Sequence, residues 1–300
     1  MKLTRIILIA SAGSVLFTGL ILSACNKSNS SGSSSTASES DAVTMSASSA
    51  TADNQYNDVL NVGLQVGAGG STTIDKADGG VLTGNRKEVD GPGGATPCAL
   101  LSASITDSTT YPVTVSIDFG TGCTGADGIT RKGKITYVFS GRIYTPGTTV
   151  AVSFTGYSVN GYQLAGNYSI TNTSAGNGIS FTWKVVGGQI TFPDGTAYTY
   201  AGTRNVAQTA GIGTLTLLDD SYSITGSHSY GSSTGKTLTD SITTPLVWPV
   251  TCDHLVSGVI GFTYTYSGMS LKGTLDYGSG ACDDSAMIKV GATTKTVVLP

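Results

Sequence analysis

The chain has 300 residues and a formal net charge of −3, with its 16 lysines and arginines scattered rather than clustered, which excludes the basic stripe that nucleic-acid binding needs. Charged residues are only 12% of the chain and glycine fills 41 positions, a composition of short strands and turns rather than of helices. Its two histidines, His228 and His254, cannot fill a histidine-rich metal site, so no metal or cofactor is expected.

Lys2 and Arg5 precede an apolar run from Ile6 to Leu22, the charged-then-apolar layout of a secretory signal peptide. The run ends on Leu22-Ser23-Ala24-Cys25. In these first 25 residues the sequence resembles bacterial lipoproteins, in which such a box is cut before the cysteine and the thiol is acylated. The resemblance implies that residues 1–24 are a signal peptide, that Cys25 carries lipid, and that the membrane is a partner through that anchor. Several acyl chains at about 0.8 kcal/mol per buried methylene hold such a protein stably. Asn26 follows the cysteine where lipoproteins held in the inner membrane carry aspartate, and no acid occurs from Asn26 to Ser38. By the same resemblance the expected location is the outer membrane, facing the periplasm. Losing Lys2 and Arg5 leaves the mature chain at about −5.

Residues 25–52 are mostly Ser, Ala and Thr with no aromatic residue, which reads as a flexible tether. Residues 53–97 read as a short helix followed by glycine-rich chain. Asp53 is placed to cap a helix in which Tyr56, Val59, Leu60, Gly63 and Leu64 recur at helical spacing. Residues 98–300 read as one antiparallel β domain.

Four cysteines remain after Cys25, and in an oxidising compartment they imply two disulfides. Between Cys98 and Cys123 lie the alternating runs Ala99 to Ile105 and Val113 to Phe119, joined by a turn; Cys252 and Cys282 enclose Gly258 to Tyr266 and Ser270 to Tyr277 in the same way. A hairpin brings its ends together, so the expected pairs are Cys98 with Cys123 and Cys252 with Cys282. The second cysteine of each pair closes a repeated phrase, Ile117-Asp118-Phe119-Gly120-Thr121-Gly122-Cys123 and Leu275-Asp276-Tyr277-Gly278-Ser279-Gly280-Ala281-Cys282. With this paired phrase the chain resembles uncharacterised all-β envelope lipoproteins of Bacteroidota, a resemblance that implies no activity. Asp118 and Asp276 are expected to accept backbone hydrogen bonds in a glycine turn rather than to hold calcium.

Between the cysteine pairs, a phrase of tyrosine, any residue, a large apolar residue, a small residue and glycine returns at Tyr137 to Gly141, Tyr162 to Gly166, Tyr198 to Gly202, Tyr222 to Gly226 and Tyr264 to Gly268. Strand side chains alternate faces, so the tyrosine, apolar residue and glycine of each copy share one face. Turn signals such as Asn160-Gly161 and Pro193-Asp194-Gly195 separate the runs, giving a meander of consecutive hairpins. Glycine recurring at the same level in many strands predicts a sheet that curls. The expected fold is therefore all-β: a strongly curved antiparallel meander, closed or half-closed like a barrel, with one short N-terminal helix. The alternative is a β-sandwich.

Arg204 and His228 each lie two residues after a phrase glycine, on the parity of the aromatic face. Tyr162, Tyr198, Tyr200, Arg204, Tyr222 and His228 thus form the candidate ligand face, suited by its hydroxyl-rich rings to a sugar-like or amphipathic ligand. Catalytic residues are not identified. The Gly-x-Ser-x-Gly match at Gly231 to Gly235 falls in a turn between two alternating runs rather than on a strand-to-helix elbow, and no glutamate follows Glu88 to supply a glycosidase pair. The sequence points to a non-catalytic, lipid-anchored envelope protein with a structural or binding role; the alternatives are a carrier of such a ligand and an envelope glycan or lipid hydrolase.

Overall fold

The computed structural model describes residues 33–67, 87–90, 97–104, 111–125, 128–214, 219–252 and 254–299. The expected signal peptide, Cys25, most of the glycine-rich segment and the side chain of Cys98 lie outside the described residues.

A single helix, α1 (Ser33–Gly67), precedes the strands. These begin with β1 (Lys87–Asp90), β2 (Pro97–Ser104), β3 (Val113–Asp118), the two-residue β4 (Cys123–Thr124) and β5 (Thr130–Phe139). The longest follow: β6 (Thr149–Val159), β7 (Tyr162–Asn172), β8 (Ser180–Thr191), β9 (Ala197–Ala210), β10 (Ser221–Ser232) and β11 (Thr237–Pro249). The last are β12 (Ser257–Tyr266), β13 (Met269–Ser279), β14 (Ser285–Val290) and β15 (Thr293–Val298). All fifteen belong to one sheet in which chain neighbours pair antiparallel, apart from β4, which pairs only β5 while β3 pairs β5 directly. The two ends of the path, β1 and β15, do not pair, so the meander is curled but open and is not a sandwich.

Alternation sets which face is inside. In β7, Leu164, Tyr168 and Ile170 are buried, while Gln163, Ala165, Asn167 and Ser169 are exposed. In β5, Ile135, Tyr137 and Phe139 are buried in the same rhythm. Asn160 and Gly161 both have positive φ at the β6–β7 turn, the backbone that a two-residue hairpin requires. Curling comes from β-bulges. The pairing register slips at Gly166 in β7 and at Gly226 in β10, where φ is +114° and +131°. Similar slips fall between Val152 and Ser158 and between Val185 and Gly188. Bulges at comparable levels in neighbouring strands bend the whole sheet inward. The other phrase glycines act differently: Gly202 leaves room for His228, which a Cβ there would approach to 2.4 Å, and Gly141 and Gly268 lie beyond strand ends.

The concavity is filled by α1, which corrects the tether reading of residues 33–52 and lengthens the expected short helix to 35 residues. Ala42, Val43, Met45, Ser46, Ser49, Ala50, Thr51 and Ala52 are all buried. A helix with its burial spread around the circumference shows no apolar stripe, so its sequence lacks the periodic signal. Small side chains serve here because the sheet presses closely on the helix: at Gly63 a Cβ would stand 2.7 Å from the ring of Tyr137. Asp53 is therefore no cap but lies in mid-helix. Among the described residues no helix is long and apolar enough to cross a membrane.

The Cys252–Cys282 disulfide is present as expected. Cys123 is also disulfide-bonded. Asp118 and Asp276 each accept a backbone N–H two residues on, from Gly120 at 2.9 Å and Gly278 at 2.8 Å, which is the turn role.

Candidate functional site

Three tyrosines of the concave face satisfy their hydroxyls on the helix. Tyr137 donates to the Val59 carbonyl at 2.9 Å, Tyr157 to Asp58 at 3.1 Å and Tyr200 to Asp53 at 2.5 Å. In return, Tyr56 of the helix donates to the carbonyls of Ala165 and Gln189 at 2.8 and 3.1 Å. Both carbonyls flank the bulges of β7 and β8, which turn them toward the helix. These bonds meet part of the hydrogen-bond need of the aromatic interior, while the buried hydroxyls of Tyr168, Tyr230 and Tyr264 have no partner among the described residues.

Two buried ion clusters join the same surfaces. Asp58 takes a two-pronged contact from Arg131, through Nε and Nη2. One to two turns earlier, Asp53 accepts from Arg204 Nε at 3.2 Å, and Arg204 Nη2 reaches Asp240 at 3.4 Å. Burial works to lower the Arg204 pKa, but Asp53 and Asp240 outweigh it and raise it further. Burial likewise pushes the Asp240 carboxyl up, yet His228 and Arg204 hold it below the ordinary aspartate range.

His228 completes the second cluster. Its Nε2 is 2.5 Å from Ser49 Oγ and its Nδ1 is 2.8 Å from Asp240 Oδ2. Serine, imidazole and carboxylate thus stand in the order of a hydrolase triad. Two features set this arrangement, a latch between helix and sheet, apart from a triad. Arg204 Nη2 lies 2.5 Å from the same Nδ1, so a guanidinium shares the ring nitrogen that a triad turns to its carboxylate alone. Ser49 is 2% exposed, on a helix face covered by the sheet, where no substrate can reach it.

Beside the latch, helix and sheet separate to leave a cavity of about 560 Å³, inside the range of small-molecule sites. Asn54, Asn57 and Asn61 lie along its helix wall, spaced three and four residues apart on one helix face. The sheet wall is aromatic and aliphatic, with Phe181 and Trp183 from β8, Tyr222 and Ile224 from β10, and Leu246 and Trp248 from β11. Arg131 and Arg204, with their helix carboxylates, form its floor. Where it reaches the surface it is bordered by the exposed Asn160, Asp283 and Asp284.

Of the candidate ligand face, Arg204 and Tyr222 line this cavity. Tyr222 stacks on Trp248 at 5.7 Å and donates to Asp220 at 3.0 Å. Tyr200 and His228 are instead spent on the helix latch, their rings stacked at 4.9 Å. Tyr162 and Tyr198 pack around Phe192 at 5.0 and 5.3 Å, away from the cavity. Arg204 and His228 are 1% and 5% exposed, far from the solvent rim. The asparagine row was missed because asparagines off the apolar spacing of Tyr56 to Leu64 read as a solvated helix face, and the tryptophans because parity alone does not say which strands stand beside a void. The two tryptophans are the only ones in the chain, and both line it.

No family model matches the chain, and comparisons with curated proteins and with solved structures find no match. Among the described residues no group of three or more His, Cys, Asp or Glu can hold a metal ion.

Proposed function

We propose that the protein is a non-catalytic, lipid-anchored envelope protein that binds an amphipathic small molecule in the cavity between α1 and the curled sheet. The observation that carries this reading is the pairing of walls: amide side chains along the helix, aromatic and aliphatic side chains across from them, enclosing about 560 Å³. Apolar walls with a few polar groups on one side suit a ligand that has both kinds of surface. The Leu22-Ser23-Ala24-Cys25 box supports anchoring through an acylated Cys25, and Asn26 supports the outer membrane with the domain facing the periplasm. Nucleic acid is not a partner in this reading.

The tryptophans supply the test. In the chain carrying Cys25→Ser, secreted without lipid and handled without detergent, octyl glucoside below its micelle concentration should shift tryptophan emission saturably, with one-site stoichiometry. W183F and W248F, each leaving one reporter, should both show the shift. Emission unchanged in all three proteins, or ester or glycoside turnover that disappears in Ser49→Ala, would contradict the proposal.

A further inference from the structure

The cavity's polar groups define what the bound molecule must carry at its polar end. Asn57 and Asn61 sit one helical turn apart, half-buried, on the helix wall of the cavity. Asparagine is a poor helix former, so its place in mid-helix is not explained by propensity. Each amide presents two N–H donors and a carbonyl acceptor. On the sheet wall, Trp183 is 1% exposed and its indole N–H lacks a partner. A buried donor left unmade costs about 1–3 kcal/mol. Two half-buried amides on the wall of one cavity, each able to donate and accept, are the complement of a ligand that does both.

Charge narrows the class. The guanidinium of Arg131 is committed to Asp58, and that of Arg204 to Asp53 and Asp240. An anionic head would have to break those buried pairs, and it would enter past the exposed carboxylates of Asp283 and Asp284. A cationic head fares little better. Asp283 already accepts from the Ser285 N–H at 2.9 Å and its hydroxyl at 2.7 Å, and charges this exposed attract weakly through water. A neutral head bearing hydroxyl groups avoids both costs: each hydroxyl donates and accepts, matching the amides, and the C–H face of a sugar ring lies favourably on the electron-rich face of an aromatic ring.

Resting on the proposed binding role, we infer that the cavity selects an uncharged saccharide or polyol group, held by Asn57 and Asn61 and set against the ring of Trp248. The sugar arrives either as a free saccharide or as the head of a glycolipid. The test holds the alkyl chain constant and varies the head. Octyl glucoside, octyl sulfate and octyltrimethylammonium are titrated into the Cys25→Ser chain, with glucose and maltose alongside, and read by tryptophan emission and by the shift in melting temperature. The glucoside should bind about tenfold or more tightly than either charged probe. N57L and N61L, which leave the apolar wall intact, should bring the three octyl probes to within about threefold of one another. Saturable binding of glucose or maltose alone assigns the site to free saccharide, and a requirement for the octyl chain assigns it to a glycolipid head. Equal or tighter binding of a charged probe, or an unchanged preference in N57L and N61L that melt cooperatively, overturns the inference while the binding role stands. No saturable response to any octyl probe overturns both.

Discussion

Asp240 sets the charge balance of the interior, since it faces both His228 and Arg204 and accepts the His228 backbone N–H at 2.9 Å. Its carboxyl is held below the ordinary value of about 3.9, so the stability it contributes is complete above about pH 4 and is lost as pH falls through the depressed native value. Urea unfolding at stepped pH should therefore show stability falling on the acid side, and Asp240→Asn should flatten that limb. At neutral pH the same variant should lose about 3–5 kcal/mol, because Arg204 and His228 are left buried beside one carboxylate fewer. An acid limb of equal steepness in wild type and variant would contradict the assignment. Ser49→Ala should cost only about 1–2 kcal/mol, the loss of one hydrogen bond at the edge of the same cluster.

At the scale of elements, much was legible and one large piece was not. The alternation in β5 and β7, the hairpin at Asn160-Gly161 and the bending role of Gly166 and Gly226 follow from period two and from the residues that permit positive φ. The first half of α1 was illegible for a physical reason: Ala42 to Ala52 is buried on several faces at once, and a segment without an amphipathic stripe, built from small residues, has the composition of a linker. Pairing of Asp53 with Arg204, across 151 residues, leaves no local trace at all. One substitution separates a core helix from a tether, and a second tests the bending glycine. Ala52→Leu, at a position with 0% exposure, should overpack the interior and cost about 1–3 kcal/mol in chemical unfolding, whereas on a tether it would be neutral. Gly226→Ala should cost about 1–3 kcal/mol or more, since its φ of +131° is strained for alanine and its Cβ would stand 2.1 Å from the Thr203 carbonyl oxygen.

The whole molecule is a sheet closed less by its own edges than by what it encloses: β1 and β15 do not pair with each other, and strands from β5 to β15 place hydrogen-bonding groups on α1. At one end Lys236 binds Asp41 at 2.9 Å and Thr293 donates to Glu39 at 2.6 Å, fastening the helix at the β10–β11 and β14–β15 turns. The interior tyrosines tie stability to alkaline pH. Burial, with Asp58 adding to it, raises the hydroxyls of Tyr137 and Tyr157 well above 10, and burial with Asp220 nearby pushes Tyr144 to about 12. Their stabilisation is full below about pH 10 and is lost as pH rises beyond it, because only the unfolded chain can ionise them there. Tyrosinate absorbance should accordingly rise in two steps, the second coinciding with loss of the β-sheet signal in circular dichroism.

The same enclosure makes α1 one wall of the cavity, so the binding proposal depends on the helix being core. Native-state hydrogen exchange of the Cys25→Ser chain measures this directly. Amides from Ala42 to Gly63 should exchange as slowly as those of the central strands β7 to β10 and open with them in one cooperative unit. Exchange of that segment at the rate of a free peptide, while the strands remain protected, would contradict the account.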